Sequence, residues 1–190
     1  MSTGEHNPAD WSSRLPSVAH EVEGFLSDAG WDQPPQLFAL VRTAELAAAE
    51  PELADQLNVA DGLTPIAQDP LADSDLADTL DGIFWPETVA GCALAQEIVV
   101  LPPNAEAELD QAVAGTDAVG GDDLNQIAVR VARQHPDRRE ARLVVAVLRG
   151  GTYCCLLRLR GTGDEPDELV EHPELAPNMV NALLRTLDAE

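Results

Sequence analysis

The chain has 190 residues, 45% of them hydrophobic, and a formal net charge of −23. That length and apolar content suffice for one core without metals or disulfides, which excludes disorder throughout. The surplus of 34 Asp plus Glu over 11 basic residues argues against binding to nucleic acid or anionic membranes, because the bulk field repels phosphate.

Every basic residue is Arg and none is Lys, which fits a GC-rich genome; an acid-rich halophilic surface is the other reading. The first residues, MSTGEHNPADW, are polar and do not read as a signal peptide. No apolar run approaches the roughly 18 residues that span a bilayer, so no membrane insertion is expected. Cys92, Cys154 and Cys155 have no CxxC spacing. They read as reduced thiols in a cytoplasmic protein. A single domain over 1–190 is expected, with a disordered tail at 1–12.

In chain order, residues 14–29 form the clearest helix. Leu15, Val18, Ala19, Val22, Phe25, Leu26 and Ala29 recur at three- and four-residue spacing, and Gly30 ends the run. A second helix is predicted over 35–49, with Leu37, Leu40, Val41, Ala44 and Ala48 as its stripe. PELADQL adds a short helix. Residues 58–82, rich in Asp, Gly and Pro, read as a long acidic loop with one helical turn. Residues 89–101 read as a long strand that Pro102–Pro103 ends, with Gly91 marking a bulge or a close backbone approach. A short acidic helix follows at 104–114, and a firmer one at 122–135 on Leu124, Ile127, Ala128 and Val131. Gly150–Gly151 then separates two strand-forming runs, the signal of a two-residue hairpin turn. Both hairpin faces are apolar, so these strands are expected at the centre of a sheet. A last helix starts near 176. The fold class is α+β: a small, mainly antiparallel sheet with a central hairpin, packed against several helices.

Positive charge gathers on that hairpin. Residues 130–160 hold eight arginines against Asp137 and Glu140, a local +6 in a chain of −23. A two-residue turn pairs Arg149 with Thr152. It sends Arg149, Arg158 and Arg160 to one face and Arg142 to the other. Arg149 then lies about 20 Å from Arg158, too far for one compact ligand to touch both. Two readings stand. The arginines neutralise carboxylates internally, or they form a site for an anionic ligand or an acidic partner segment.

Other candidates are weaker. Cys154 and Cys155 are strand neighbours on opposite faces, so core packing suits them better than a shared metal or a nucleophile. The Asp-rich segment 69–81 lacks the Gly and Glu of a calcium loop, and no P-loop or dinucleotide spacing occurs. No cofactor, metal ligand or catalytic residue is therefore expected. Glu97, alone in an apolar strand, is either a buried acid or the partner of a sheet arginine. Trp85 is either a core anchor or the lining of a groove.

GWDQPPQLFALVRTAELAAAEP (30–51), FWPETVAGCALAQEIVVLPP (84–103), RLVVAVLRGGTYCCLLRLRG (142–161) and ELAPNMVNALLRTL (174–187) together resemble a family of acidic actinobacterial proteins of uncharacterised activity. The resemblance implies a cytosolic protein and carries no catalytic residues with it. From the residues themselves, the expectation is a non-catalytic, adaptor- or chaperone-like domain that binds a protein partner or a second copy of itself. Arg149, Arg158, Arg160, Trp85 and Glu97 are the expected recognition residues. The alternative is an enzyme or small-molecule binder that holds an anionic ligand at the arginine hairpin.

Overall fold

A computed structural model describes residues 12–57, 62–71, 76–115 and 130–188. The strands are β1 Gln36–Arg42, β2 Leu63–Ala67, β3 Val89–Val100, β4 Arg139–Leu148, β5 Tyr153–Leu159 and β6 Glu168–Glu171. The helices are α1 Leu15–Ala29, α2 Thr43–Ala49, α3 Leu76–Asp81, α4 Pro103–Ala114 and α5 Pro177–Asp188; residues 130–134 are also helical. The strands form one antiparallel sheet in the order β2-β1-β3-β4-β5-β6. The expected α+β class is the observed one.

Strand alternation divides the apolar residues into two cores. Phe38, Leu40, Ala93, Ala95, Val144, Ala146, Cys154 and Leu156 pack beneath α1, which contributes Leu15, Val18, Ala19, Val22 and Leu26. Leu37, Ala39, Cys92, Leu94, Leu143, Val145, Val147, Cys155 and Leu157 pack on the other side with Leu80 of α3 and Val180, Leu183 and Leu187 of α5. The hairpin strands are covered on both faces, as their two-sided apolar pattern requires.

The helix expected over 35–49 is half strand. QLFALVR forms β1 and only Thr43–Ala49 is helical. Leu37 to Leu40 are all buried, alternately in one core and the other, which a one-sided helical stripe cannot achieve. Short apolar runs fit both periods, and here the two covering layers decide. The acidic loop expected over 58–82 holds β2 and α3. Residues 72–75 and the predicted inward positions Leu124, Ile127 and Ala128 lie outside the described residues. On α1, Phe25 is 59% exposed and meets Phe38 edge-on at 6.1 Å between ring centroids. Glu23 takes a buried place on that side instead.

The hairpin turn is one residue longer than expected. Leu148 N–H donates to Thr152 O at 2.8 Å, and Val147 pairs with Tyr153. Arg149, Gly150 and Gly151 make a three-residue loop, with both glycines at positive φ (101° and 95°). The one-residue shift reverses the expected faces. Arg142 lies directly opposite Arg158, so these two share a face and Arg149 sits in the loop itself.

Gly91 fulfils the expectation of a close approach. The β1–β3 register shifts beside it, between Leu40 and Val41. A Cβ there would run into the Val147 carbonyl oxygen and Leu148 of β4. Gly91→Ala is therefore expected to destabilise the chain by about 1–3 kcal/mol, the range for overpacking a tight core. Urea unfolding at neutral pH checks this; an unchanged midpoint would show that β3 and β4 can move apart.

Candidate functional site: the buried arginine cluster

Arg142 stands on β4 between Glu97 of β3 and Arg158 of β5, its direct cross-strand partners. All three occur on the face that α1 covers. Arg142 is only 2% exposed, and so is Glu23, which α1 points down at the sheet. The sequence brings this about through the helical stripe: Glu23 is four residues beyond Ala19 and three before Leu26.

Glu23 is gripped by Arg158 through both carboxylate oxygens, with Nη2 to Oε2 at 2.7 Å and Nε to Oε1 closer still. Ser27 Oγ–H donates to Glu23 Oε1 at 2.6 Å. Arg142 Nη1 donates to Ser27 Oγ at 3.3 Å and stands 3.9 Å from Glu23 Oε1. Its Nη2 donates to Gly30 O, at the carbonyl end of α1, where positive charge is favoured. Nη2 also lies 3.4 Å from Glu97 Oε1. Glu97 in turn accepts the backbone N–H groups of Asp32 (3.0 Å) and Gln33 (3.2 Å). Trp31, between Gly30 and that turn, lies under the Arg142 guanidinium at 4.7 Å and the Arg160 guanidinium at 5.2 Å. Arg160 pairs with Glu140 and stands 3.6 Å from Asp32.

Two buried or half-buried carboxylates thus face two guanidiniums, and the charges balance. Burial pushes the Glu23 carboxyl up, but the hydrogen bonds from Arg158 and Ser27 and the charges of Arg158 and Arg142 outweigh it. The net shift is downward. The hydrogen bond to Glu23 holds the Arg158 guanidinium above its ordinary value. Among the described residues, no buried side-chain nitrogen or oxygen lacks a partner.

The other two expected recognition residues lie at the opposite end of the sheet. Arg149 is seven residues from Arg142 along the chain, roughly 23 Å at strand rise. Its guanidinium donates to Val89 O (2.8 Å), Trp85 O (3.0 Å), Pro86 O (3.1 Å) and Leu187 O. Trp85 is half-buried, and its Nε1–H donates to Thr186 Oγ1 at 3.0 Å. The pair fastens the C-terminus of α5 to the segment before β3. The five residues therefore form two groups: Glu97, Arg158 and Arg160 near α1, Arg149 and Trp85 near α5.

A family model described as PPA1309-like protein matches residues 15–188. The chain belongs to that family. No curated protein and no solved structure matches it. The PPA1309-like match takes in both arginine groups, from Glu23 to the α5 clamp.

Sequence reasoning passed over Glu23, Ser27 and Trp31. Only Glu23 gave a signal, as a carboxylate on the buried stripe of a helix. Cys92, Cys154 and Cys155 are buried and free. Burial pushes the Cys92 thiol up to about 12, against the Thr186 hydrogen bond and the Arg149 charge. Burial, then the nearby Glu171 and Cys155, push Cys154 to about 12, and burial raises Cys155. Among the described residues, no three His, Cys, Asp or Glu side chains are placed to hold a metal, and no helix is long and apolar enough to cross a membrane.

Two outcomes follow from these environments. Because Glu23 titrates lower in the folded chain, its pairing contributes stability above the ordinary carboxyl value of 4.5 and loses it as pH falls through the folded-state value. Glu23→Gln is expected to lower stability at pH 7 by about 3 kcal/mol, as for a broken buried pair. The gap to the wild type should narrow below pH 4.5 in urea titrations; a gap constant from pH 7 to pH 3 would refute the linkage. Thiol labelling with a disulfide reagent at pH 8 should leave all three cysteines of the native protein unmodified over minutes, and label them together in denaturant. Rapid native labelling at any of them would contradict the burial.

Proposed function

We propose that this chain is a non-catalytic cytoplasmic domain that binds another protein, and that it takes an extended basic segment of that partner along the outer edge of β6. The observation that carries the reading is the contrast between the two edges of the sheet.

The β2 edge is blunted. Gln68 N–H donates to Leu37 O, and hydrogen-bonded pairs alternate along an antiparallel ladder. Pro65, opposite Leu40, therefore has its missing N–H on the open side, where it cannot receive a further strand. The β6 edge has no such block. His172 N–H donates to Cys155 O, so by the same alternation Glu168 and Val170 bond toward β5. Leu169 and Glu171 present their N–H and C=O groups outward. Strand addition at an open edge is a recurring mode of peptide recognition.

Charge selects the partner. Asp164, Glu165, Asp167, Glu168, Glu171 and Glu174 are all exposed around this strand, and residues 161–184 contain no arginine. Such an edge repels a second copy of itself and attracts a basic segment. The pairing of Arg158 with Glu23 and of Arg160 with Glu140 supports the same reading, because it leaves neither guanidinium free to offset the carboxylates around β6. The three buried free thiols support a reducing compartment.

The test is a fluorescence anisotropy titration with a labelled peptide of alternating arginine and valine. Saturable binding that weakens with salt is expected. Leu169→Pro removes an outward N–H and none of the bonds to β5, at a side chain already 36% exposed, so it should cut affinity by about tenfold or more with only a small drop in the thermal midpoint. Glu168→Gln should flatten the salt dependence. A Leu169→Pro variant that folds and binds as tightly as the wild type would sink the β6 edge as the docking site.

A further inference from the structure

The arginines outside the buried cluster are distributed unevenly. Arg42 pairs with Glu45, Arg185 with Asp81, and Arg160 with Glu140. Arg149 is spent on backbone carbonyls, and Arg139 donates to Arg160 O. Among the described residues, Arg130, Arg133 and Arg138 have no carboxylate partner; Arg138 donates only to His135 O. The chain has 34 carboxylates and 11 arginines, yet three guanidiniums within nine residues have no ion pair with any of the described residues.

Two of them line a cleft. It holds about 580 Å³ between the helical segment 130–134 and the ends of β3 and β4. Ile98, Val99 and Ala132 supply apolar walls, and Arg133, Arg138, Glu97 and Glu140 supply the charges. The two carboxylates are already compensated. Glu97 is held by Arg142 and two backbone N–H groups, and Glu140 is held by Arg160. The two arginines have no such compensation among the described residues. The site therefore offers two uncommitted guanidiniums beside an apolar wall, in a volume suited to a small organic molecule. The overall charge of −23 does not override this, because charges beyond about 8 Å are screened at physiological salt.

We infer that this cleft binds a small organic dianion, a phosphate monoester with a short apolar body, whose phosphate is held by Arg133 and Arg138. Guanidinium forks match phosphate oxygens in geometry and charge. The apolar body leaves water against Ile98, Val99 and Ala132. This site is separate from the β6 edge and does not depend on the reading given for it.

Butyl phosphate and inorganic phosphate, titrated into the ¹⁵N-labelled full chain and followed by NMR, test the inference. Butyl phosphate should bind saturably, several-fold tighter than inorganic phosphate, with shifts centred on 97–99 and 132–140. Arg133→Gln and Arg138→Gln should each weaken it by about tenfold, the worth of one charge-assisted contact. Neither side chain has an ion-pair partner to lose among the described residues, so melting temperatures should hold. Arg130→Gln removes the same charge outside the cleft lining and should leave the affinity unchanged. Loss of affinity in all three variants alike would reduce the effect to net charge and overturn the site. So would the absence of saturation, or binding that survives Arg133→Gln and Arg138→Gln together.

Discussion

A guanidinium buried at 2% exposure between two carboxylates fixes the arrangement of this protein. Arg142 cannot leave that position unpaired, because an isolated charge in the interior costs several kcal/mol. Its partners come from two elements: Glu23, Ser27 and the carbonyl of the C-cap Gly30 on α1, and Glu97 on β3. Satisfying all of them sets the height and rotation of α1 over the sheet. An apolar contact of equal area would tolerate sliding. A hydrogen-bonded charge network has directional partners and does not.

The cluster also accounts for how a strongly acidic chain uses its few positive charges. Arg142, Arg158 and Arg160 lie among carboxylates and the Trp31 ring, and Arg149 caps main-chain carbonyls at the far end of the sheet. The two ends use different chemistry for the same purpose, which is to fasten a helix terminus to the strands. At α1 the guanidinium needs carboxylates because it is fully enclosed. At α5 it meets the carbonyl end of the helix and the segment before β3, where partial negative charges suffice. What remains outside, among the described residues, is an acidic surface with an open strand edge at β6 and a cleft whose arginines have no internal ion pair.

Much of the fold was legible from residue pattern. The α1 stripe, the long β3 strand with its special glycine, the two-sided apolar hairpin and the last helix all follow from periodicity and turn residues. β1 was not legible, because LFAL satisfies a helical and a strand period equally well over so few residues. β2 was hidden by Pro65, which reads as a loop signal and is tolerated only because its missing N–H points away from β1. The hairpin arginines were legible as a group but not in their orientation. One extra residue in the loop moved Arg142 onto the face of Arg158, and with it turned an apparent surface array into an internal network.

The sequence by itself determined the charge balance, the α+β class, the positions of the breaks, and the fact that positive charge concentrates between residues 130 and 160. These depend on composition and local spacing, which the chain carries with it. Only the tertiary structure decided which arginines are consumed and which are left over. That depends on the register of β4 and β5, which the loop between them sets, and on where a helix lands, which contacts between residues more than one hundred positions apart decide, such as Glu23 and Arg158.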